Sequence, residues 1–433
     1  MPIAERLYLH EPQLFEFRAT VTDIREFARR DGVQIWQIAL DRTAFYPTSG
    51  GQPHDRGVLT AQTRSGVELT VIVDDVVEDE AGEVWHATTK PLLTGTEVGG
   101  VLDADRRLDH IQQHSGQHLL SAVLANDFGL RTVSFHLGEE DATIDVLASP
   151  AADPAANSID LPAGRLDSLL GQAERRVNRH IASNLPVSVR AVSNEDAQVL
   201  LASGAIRKLP PREGAIRLVE IPGLDLNACG GTHVQALGEI GAVLLRGTER
   251  VKKGLRLHFV CGLRAVRAAR RDWTELNAAA AMLSVGLADV SPAVHRLQAE
   301  TRALGKERLR LREEIAESHA VQLAVEERIV GGLRLVYRTF ADRDPEYIKL
   351  LATKLLEAVP QTAAVLVSTA GEPATVIVAS NLQPPQGCDA LLKSVLLPLG
   401  LRGGGTAELA QAQVPAAVLG EVAEALTQKI AKR

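Results

Sequence analysis

Cysteine is scarce in this 433-residue chain: Cys229, Cys261 and Cys388 are too few and too widely spread to form a disulfide framework. Any special role for a cysteine must come from thiolate chemistry or metal binding, and only Cys229 has suggestive neighbours. Long uncharged apolar runs are also lacking, and the segment Met1 to His10 does not show the charged-then-apolar order of a signal peptide. A membrane span is therefore not expected, and the cytoplasm is the expected location. Nor is there an excess of positive charge. The formal net charge of −7 excludes a protein coated in cationic side chains, so any nucleic-acid contact must come from a local basic patch. The run Gly403-Gly404-Gly405 lacks the following Lys-Ser/Thr of a phosphate loop, which argues against nucleotide hydrolysis.

Hydrophobic residues make up 45% of the chain and charged residues 23%, a balance typical of soluble globular proteins. The length implies two to four domains. From Phe15 to about Lys90 apolar residues alternate, at Phe17, Ala19 and Val21, at Val33 and Ile35, and at Val67, Leu69, Val71 and Val73, with glycine-containing turns between. This pattern predicts a small antiparallel sheet or barrel. After Asp103 a helical pattern runs from Asp105 to Phe128 and stops at Gly129. The stretch from Ser149 to Ala163 reads as a loop, followed by a helix around Leu166 to Ala182 and strands at Val187 to Val192 and Ile216 to Ile221. Val290, Leu297, Leu304 and Leu311 recur every seventh position, predicting a long helix or helical hairpin between Asn277 and Val330. Thr301, Arg308, Ser318 and Gln322 interrupt that seam, so a short intramolecular pair or a weak dimer fits better than an extended coiled coil. Beyond Gly331 the order is strand, helix, strand, strand, then helices around a glycine-rich turn, an α/β pattern.

Three histidines lie on the helix that follows Asp103. His114 and His118, four residues apart, project from one face and suit two ligands of one ion. In Cys229-Gly-Gly-Thr-His233 the glycines permit a tight backbone path that lets thiolate and imidazole converge. A Cys/His₃ set favours Zn2+, because magnesium and calcium require oxygen ligands. Such a set reads either as a hydrolytic centre or as a closed structural zinc site, since catalytic zinc commonly keeps one position open. His110 is rotated away from His118 and reads as a helix-face residue or as one that supports the ligands from behind.

His114-Ser-Gly-Gln-His118 with Cys229-Gly-Gly-Thr-His233 resembles the paired HxxxH and CxxxH motifs of the alanyl-tRNA synthetase editing domain and its free-standing relatives. Leu40-Asp-Arg-Thr-Ala-Phe-Tyr-Pro-Thr-Ser-Gly-Gly-Gln-Pro53 is similar to the glycine-rich signature of the amino-terminal barrel of that family, and Gly400-Leu-Arg-Gly-Gly-Gly-Thr-Ala-Glu-Leu-Ala-Gln411 to that of the synthetase's carboxy-terminal domain. The first zinc motif departs from the common Thr-Ala-Thr filling, having Ser115, Gly116 and Gln117, and Asn227 stands where an acidic residue is common. These departures bear on the fine shape of the pocket.

The resemblance implies a multidomain α+β protein: an antiparallel β-barrel over 1–95, a zinc-binding editing domain over 96–272, a helical or coiled-coil connector over 273–330 and an α/β domain over 331–433. It implies a zinc-dependent aminoacyl-tRNA hydrolase acting in trans on seryl-tRNA of alanine identity, and leaves open whether glycyl-tRNA is also a substrate. Thr43 matches the threonine held to contact the serine hydroxyl, and otherwise reads as a barrel threonine bonding to backbone. Gln52 would hold the amino acid or the terminal adenosine. Arg250, Lys252, Lys253 and Arg256 begin a run with only Glu249 as an acidic neighbour and are the expected RNA-binding residues. A homodimer through the helical connector or the terminal domain is the expected self-association. Two rivals stand beside this reading: a deacylase for seryl-tRNA of threonine identity, and a binding protein that keeps zinc as a staple without turnover.

Overall fold

The computed structural model describes residues 3–62, 66–148, 163–206, 209, 214–251, 254–326, 329–330, 333–382 and 387–432. The stretch 149–162, most of the expected loop, lies outside the described residues, as do Lys252 and Lys253. The chain divides into two units, Met1–Ala278 and Ala279–Arg433.

In the first unit, β1 (Glu5–Arg6) pairs in parallel with β4 (Arg42–Thr43). The strands β2 (Glu16–Arg30), β3 (Val33–Leu40), β5 (Gly57–Gln62), β6 (Glu68–Glu78), β7 (Val84–Thr88) and β8 (Glu97–Leu102) close into an antiparallel barrel of order β2-β3-β7-β6-β5-β8. Period-two patterning explains the inward face: Phe17, Ala19, Val21, Val71 and Val73 are buried, while the alternation fails at Val33, the first residue of β3, and Val67, just before β6, which are exposed.

Helix α1 (Ala104–Phe128) follows the barrel directly. Asp103 caps it by accepting from the Arg106 backbone N–H at 3.0 Å, and Gly129 ends it in the left-handed region that a glycine adopts at no steric cost. The helix packs Ile111, Leu119, Leu120, Val123 and Leu124 into the core of this half. They meet an antiparallel sheet in the order β14 (Val243–Val251), β15 (Gly254–Cys261), β10 (Ala142–Ala148), β9 (Leu130–Leu137). Helix α2 (Ala163–Ser183) covers the same core. A smaller antiparallel sheet joins β11 (Ser188–Val192), β12 (Ile216–Ile221) and β13 (Asp225–Ala228), with helix α3 (Asn194–Ala202) between the first two strands. Helix α4 (Gly262–Leu283) begins where β15 ends.

In the second unit α5 (Val290–Glu326) is a single 37-residue helix. Its seven-residue row is exposed at Leu297, Leu304 and Leu311, whereas Ala316, Ala320 and Leu323 pack against α6 (Pro345–Ala358). A six-stranded sheet runs β16 (Ile329–Val330), β17 (Leu333–Phe340), β18 (Thr362–Ser368), β19 (Ala374–Ser380), β21 (Leu409–Val414), β20 (Gly403–Gly405), in which only β17 and β18 are parallel. Helices α7 (Cys388–Leu396) and α8 (Ala416–Ala431) complete it. The Gly403–Gly405 segment is an edge strand where the sequence reads as a turn. Glycine fits there because a Cβ at Gly405 would stand 2.2 Å from the Leu409 carbonyl oxygen. Among the described residues no single helix is long and apolar enough to cross a membrane.

Candidate metal centre

His114 and His118 lie on the buried face of α1 with ring centroids 5.3 Å apart. The loop after β13 carries Cys229 and His233 up to them: the His233 ring centroid is 4.6 Å from that of His114 and 4.7 Å from that of His118. Cys229 Sγ is 3.4 Å from His114 Nε2 and 3.2 Å from His233 Nε2. One donor atom from each of the four residues lies within 4.8 Å of all the others, so the group could hold a metal ion. Gly231 makes this approach possible. A Cβ there would sit 2.1 Å from His114 Cε1, so any side chain would displace the ring.

Each imidazole is held from behind. Gln52 Oε1 is 2.8 Å from His114 Nδ1, Asp225 Oδ2 is 3.2 Å from His118 Nδ1, and Ser115 Oγ is 3.3 Å from His233 Nδ1. With Nδ1 engaged, Nε2 of each ring is left for the shared point, the arrangement by which outer partners orient metal ligands. Asn227 donates to Asp225 at 2.6 Å, so the acid that steadies His118 comes from Asp225. Burial pushes the Cys229 thiol up, but His114 and His233 pull it further down, leaving it well below the ordinary thiol range. Burial pushes His118 down, and its bonds to Asp225 and Cys229 more than reverse this. The neighbouring imidazoles thus favour the thiolate form that a metal ligand requires. Cys261 and Cys388 behave oppositely, since burial holds both as thiols.

The glycine-rich loop is tied to α1 by a fully buried ion pair between Arg107 and Asp55, and Arg107 also donates to the Pro12 carbonyl at 2.7 Å. Asp55 accepts from the Tyr46 backbone N–H at 2.7 Å. The pair places Gln52 against His114, while Gln52 Nε2 donates to Thr232 Oγ1 at 2.9 Å. Arg217 donates to the carbonyls of Cys229 and Gly231 at 2.8 and 2.9 Å and so shapes the second ligand loop. Asp55, Arg107, Ser115, Arg217 and Asp225 all serve the site, and none is singled out by sequence spacing. Gly116 lets α1 approach β15, because a Cβ there would meet Cys261 Sγ at 2.2 Å.

Thr43 is fully buried in the barrel. Its hydroxyl lies 2.8 Å from His86 Nε2 and accepts from the Phe45 N–H at 3.1 Å. Because His86 Nδ1 faces the Ile38 carbonyl at 2.9 Å and donates to it, Nε2 is the acceptor and the Thr43 proton is engaged. Gln52 is likewise fully buried, with its amide divided between His114 and Thr232. His110 is buried but stands outside the four-residue group.

The expected RNA-binding run finds acids elsewhere in the chain. Arg256 bonds Asp145 at 2.8 and 3.1 Å, Arg264 pairs with Asp109, Arg246 with Asp272, and Arg271 with Glu140 at 3.3 Å. Arg250 is exposed. A cleft of about 240 Å³ opens beside His233, lined by Leu9, Pro12, Val187, Val189 and Arg217 among others. Another cleft, about 560 Å³, lies on the barrel surface around Arg18, Arg42 and Glu97 and contains none of the four donors.

Residues 216–257 match the family model described as the threonyl and alanyl tRNA synthetase second additional domain. The alanyl-tRNA editing protein Aarsd1 of Rattus norvegicus is 32% identical over 330 residues, covering 76% of this chain and 73% of its own length. The alanyl-tRNA editing protein AlaX-L of Pyrococcus horikoshii is 30% identical over 426 residues, covering 96% of this chain and 95% of its own. Among solved structures, the C-Ala domain of Aquifex aeolicus alanyl-tRNA synthetase aligns with 24% of this chain and 98% of its own at 23% identity, with a TM-score of 0.20.

Proposed function

Because this chain belongs to the alanyl-tRNA editing protein family, we propose that it hydrolyses the ester joining a wrong amino acid to tRNA of alanine identity, with serine the main target and glycine a second. The observation that carries the reading is the convergence of His114, His118, Cys229 and His233 on one point. Three imidazole nitrogens and a thiolate suit zinc over the hard cations, and the Nδ1 partners of all three histidines fit that assignment. When bound, zinc supplies Lewis-acid polarisation and orients an ester or a water.

The chain's own residues supply the rest. Gln52, Asp225 and Ser115 orient the ligand rings, and Arg217 holds the carbonyls that set the Cys229 loop. The cleft beside His233 takes the aminoacyl end, with Val187 and Val189 facing its apolar part. An aminoacyl ester is labile, so holding it in register with a water suffices without a covalent nucleophile. Preference for serine over alanine requires a group that bonds the extra hydroxyl. Thr43, the residue the resemblance brings to that role, has its proton engaged by His86, and we assign it instead to shaping the barrel wall behind the glycine-rich loop. The exposed row Leu297, Leu304 and Leu311 supports self-association through α5.

Four protein donors also describe a closed structural site, the basis of the non-catalytic rival. Zinc stripping and reconstitution separate the two. Loss and recovery of serine release from seryl-tRNA of alanine identity, with no release from seryl-tRNA of threonine identity, supports the proposal. Intact tRNA binding with no turnover in the zinc-loaded protein refutes it.

A further inference from the structure

A second cleft, about 430 Å³, lies one turn of α1 before the metal centre, at His110. Four separate segments build it: the end of the glycine-rich loop with His54 and Arg56, the first turns of α1 with Arg106 and His110, the Gly138–Glu139 turn, and the start of α4 with Arg264 and Arg267. We propose that this cleft is a phosphate subsite that holds the terminal phosphodiester of the RNA acceptor strand. The proposal deepens the function proposed above and rests on that reading for the identity of the RNA.

Charge is the first argument. Four guanidinium groups line the cleft, and two of them, Arg264 and Arg267, share the single carboxylate of Asp109, the second at 3.7 Å. The other lining acids are Asp105, on the first turn of α1, and Glu139, both exposed. Guanidinium forks match the oxygens of a phosphate, which makes this chemistry a better fit than a neutral ligand.

His110 is the second argument. It is only 3% exposed, lines the cleft, and its Nδ1 has no hydrogen-bond partner. A buried polar atom left without a partner is uncommon in a folded protein and destabilising. Burial, followed by the charges of Arg106, Arg264 and Arg107, lowers the His110 pKa to about 3, so the neutral ring can offer an N–H without adding a charge of its own. An anion oxygen in the cleft satisfies that donor and relieves the cluster of like charge at once.

Position is the third. His110 and His114 are separated by one turn of α1, a pitch of about 5.4 Å. Pro53 and His54 directly follow Gln52, which touches His114. An ester on the terminal ribose at the metal centre therefore places the 5′ phosphate of the same nucleotide within reach of the cleft. The subsite would fix the register of the ester by gripping the strand next to the bond that breaks.

The test uses the full chain and uncharged tRNA of alanine identity, so that binding is read without turnover. Arg56→Gln and Arg267→Gln, both at exposed positions, are each expected to weaken binding about tenfold. Each is also expected to lower the slope of log affinity against log salt by about 0.7. The same tRNA with a neutral methylphosphonate at its terminal phosphodiester should lose a similar factor with the wild-type protein, and the two variants should show no further loss on it. Unchanged affinity of the variants, additive losses with the methylphosphonate RNA, or no binding of uncharged tRNA by the wild type overturns the proposal. If inorganic phosphate shifts the His110 ring resonances while methylphosphonate RNA binds like native RNA, the occupant is free phosphate and the RNA assignment fails. A protein that behaves as expected here yet releases no serine refutes hydrolysis and leaves the subsite standing.

Discussion

Gln52 Oε1 stands 2.8 Å from His114 Nδ1, so a residue of the glycine-rich loop, 62 positions away in sequence, sets the orientation of a ligand on α1. If Gln52 acts on the ring, Gln52→Leu lowers zinc affinity about 10- to 100-fold, and serine release falls with zinc occupancy and recovers in excess zinc. Competition against a chromophoric chelator measures the affinity. Unchanged zinc affinity with lost turnover would instead return Gln52 to the substrate-holding role implied by the resemblance.

Gly231 is the most sensitive position of the second ligand loop. A Cβ there lies 2.1 Å from His114 Cε1 and 2.4 Å from Nδ1, so Gly231→Ala must move the ring or the loop. The expected result is a folded protein with far less than stoichiometric zinc, seen by metal analysis beside a far-ultraviolet circular dichroism spectrum like that of the wild type. A fully loaded Gly231→Ala protein contradicts this packing.

Thr43→Val removes the hydroxyl that bonds His86 and leaves a buried ring nitrogen without a partner. Such a loss costs about 1–3 kcal/mol, measurable by urea unfolding. The ratio of serine to alanine release should be nearly unchanged. A collapse of that ratio with stability retained would restore Thr43 as the group that senses the serine hydroxyl.

His86 also gives stability a pH dependence. Burial lowers its folded-state pKa to about 4 from an ordinary 6.5. The unfolded chain therefore binds the extra proton between these values, and stability rises with pH across that window. His86 contributes fully above about pH 6.5 and loses its contribution progressively as pH falls toward 4, by about 3 kcal/mol in all. Unfolding free energies at pH 7.5 and 4.5 should show a smaller decrease for His86→Gln than for the wild type. An equal decrease assigns the acid sensitivity to other groups.

Much of this architecture is legible in the sequence because it depends on local signals. Asp103 and Gly129 bracket α1 in the chain as they do in space, and strand β12 matches the expected Ile216 to Ile221. The convergence of His114, His118, Cys229 and His233 is readable for the same reason, since each half of the motif is short. What the sequence does not reveal is the long-range polar wiring. Asp55 and Arg107 meet across 52 residues and His118 and Asp225 across 107, with no periodicity to announce either pair. The basic run from Arg246 to Arg271 carries only Glu249 as an acid in sequence for the same reason: Asp145, Asp109 and Glu140 reach it only through sheet pairing and helix packing. Gly403–Gly405 reads as a turn because glycine marks turns in sequence, whereas here its lack of a side chain admits a neighbouring strand.

The central claim is hydrolysis at the Cys229 centre, and its most direct test is the rate of amino-acid release from seryl-tRNA and alanyl-tRNA of alanine identity by the wild-type protein and by Cys229→Ala. The proposal predicts fast release of serine, slow release of alanine, and loss of serine release in the variant together with its zinc. Equal release of both amino acids, or serine release that survives in a zinc-free Cys229→Ala protein, contradicts it.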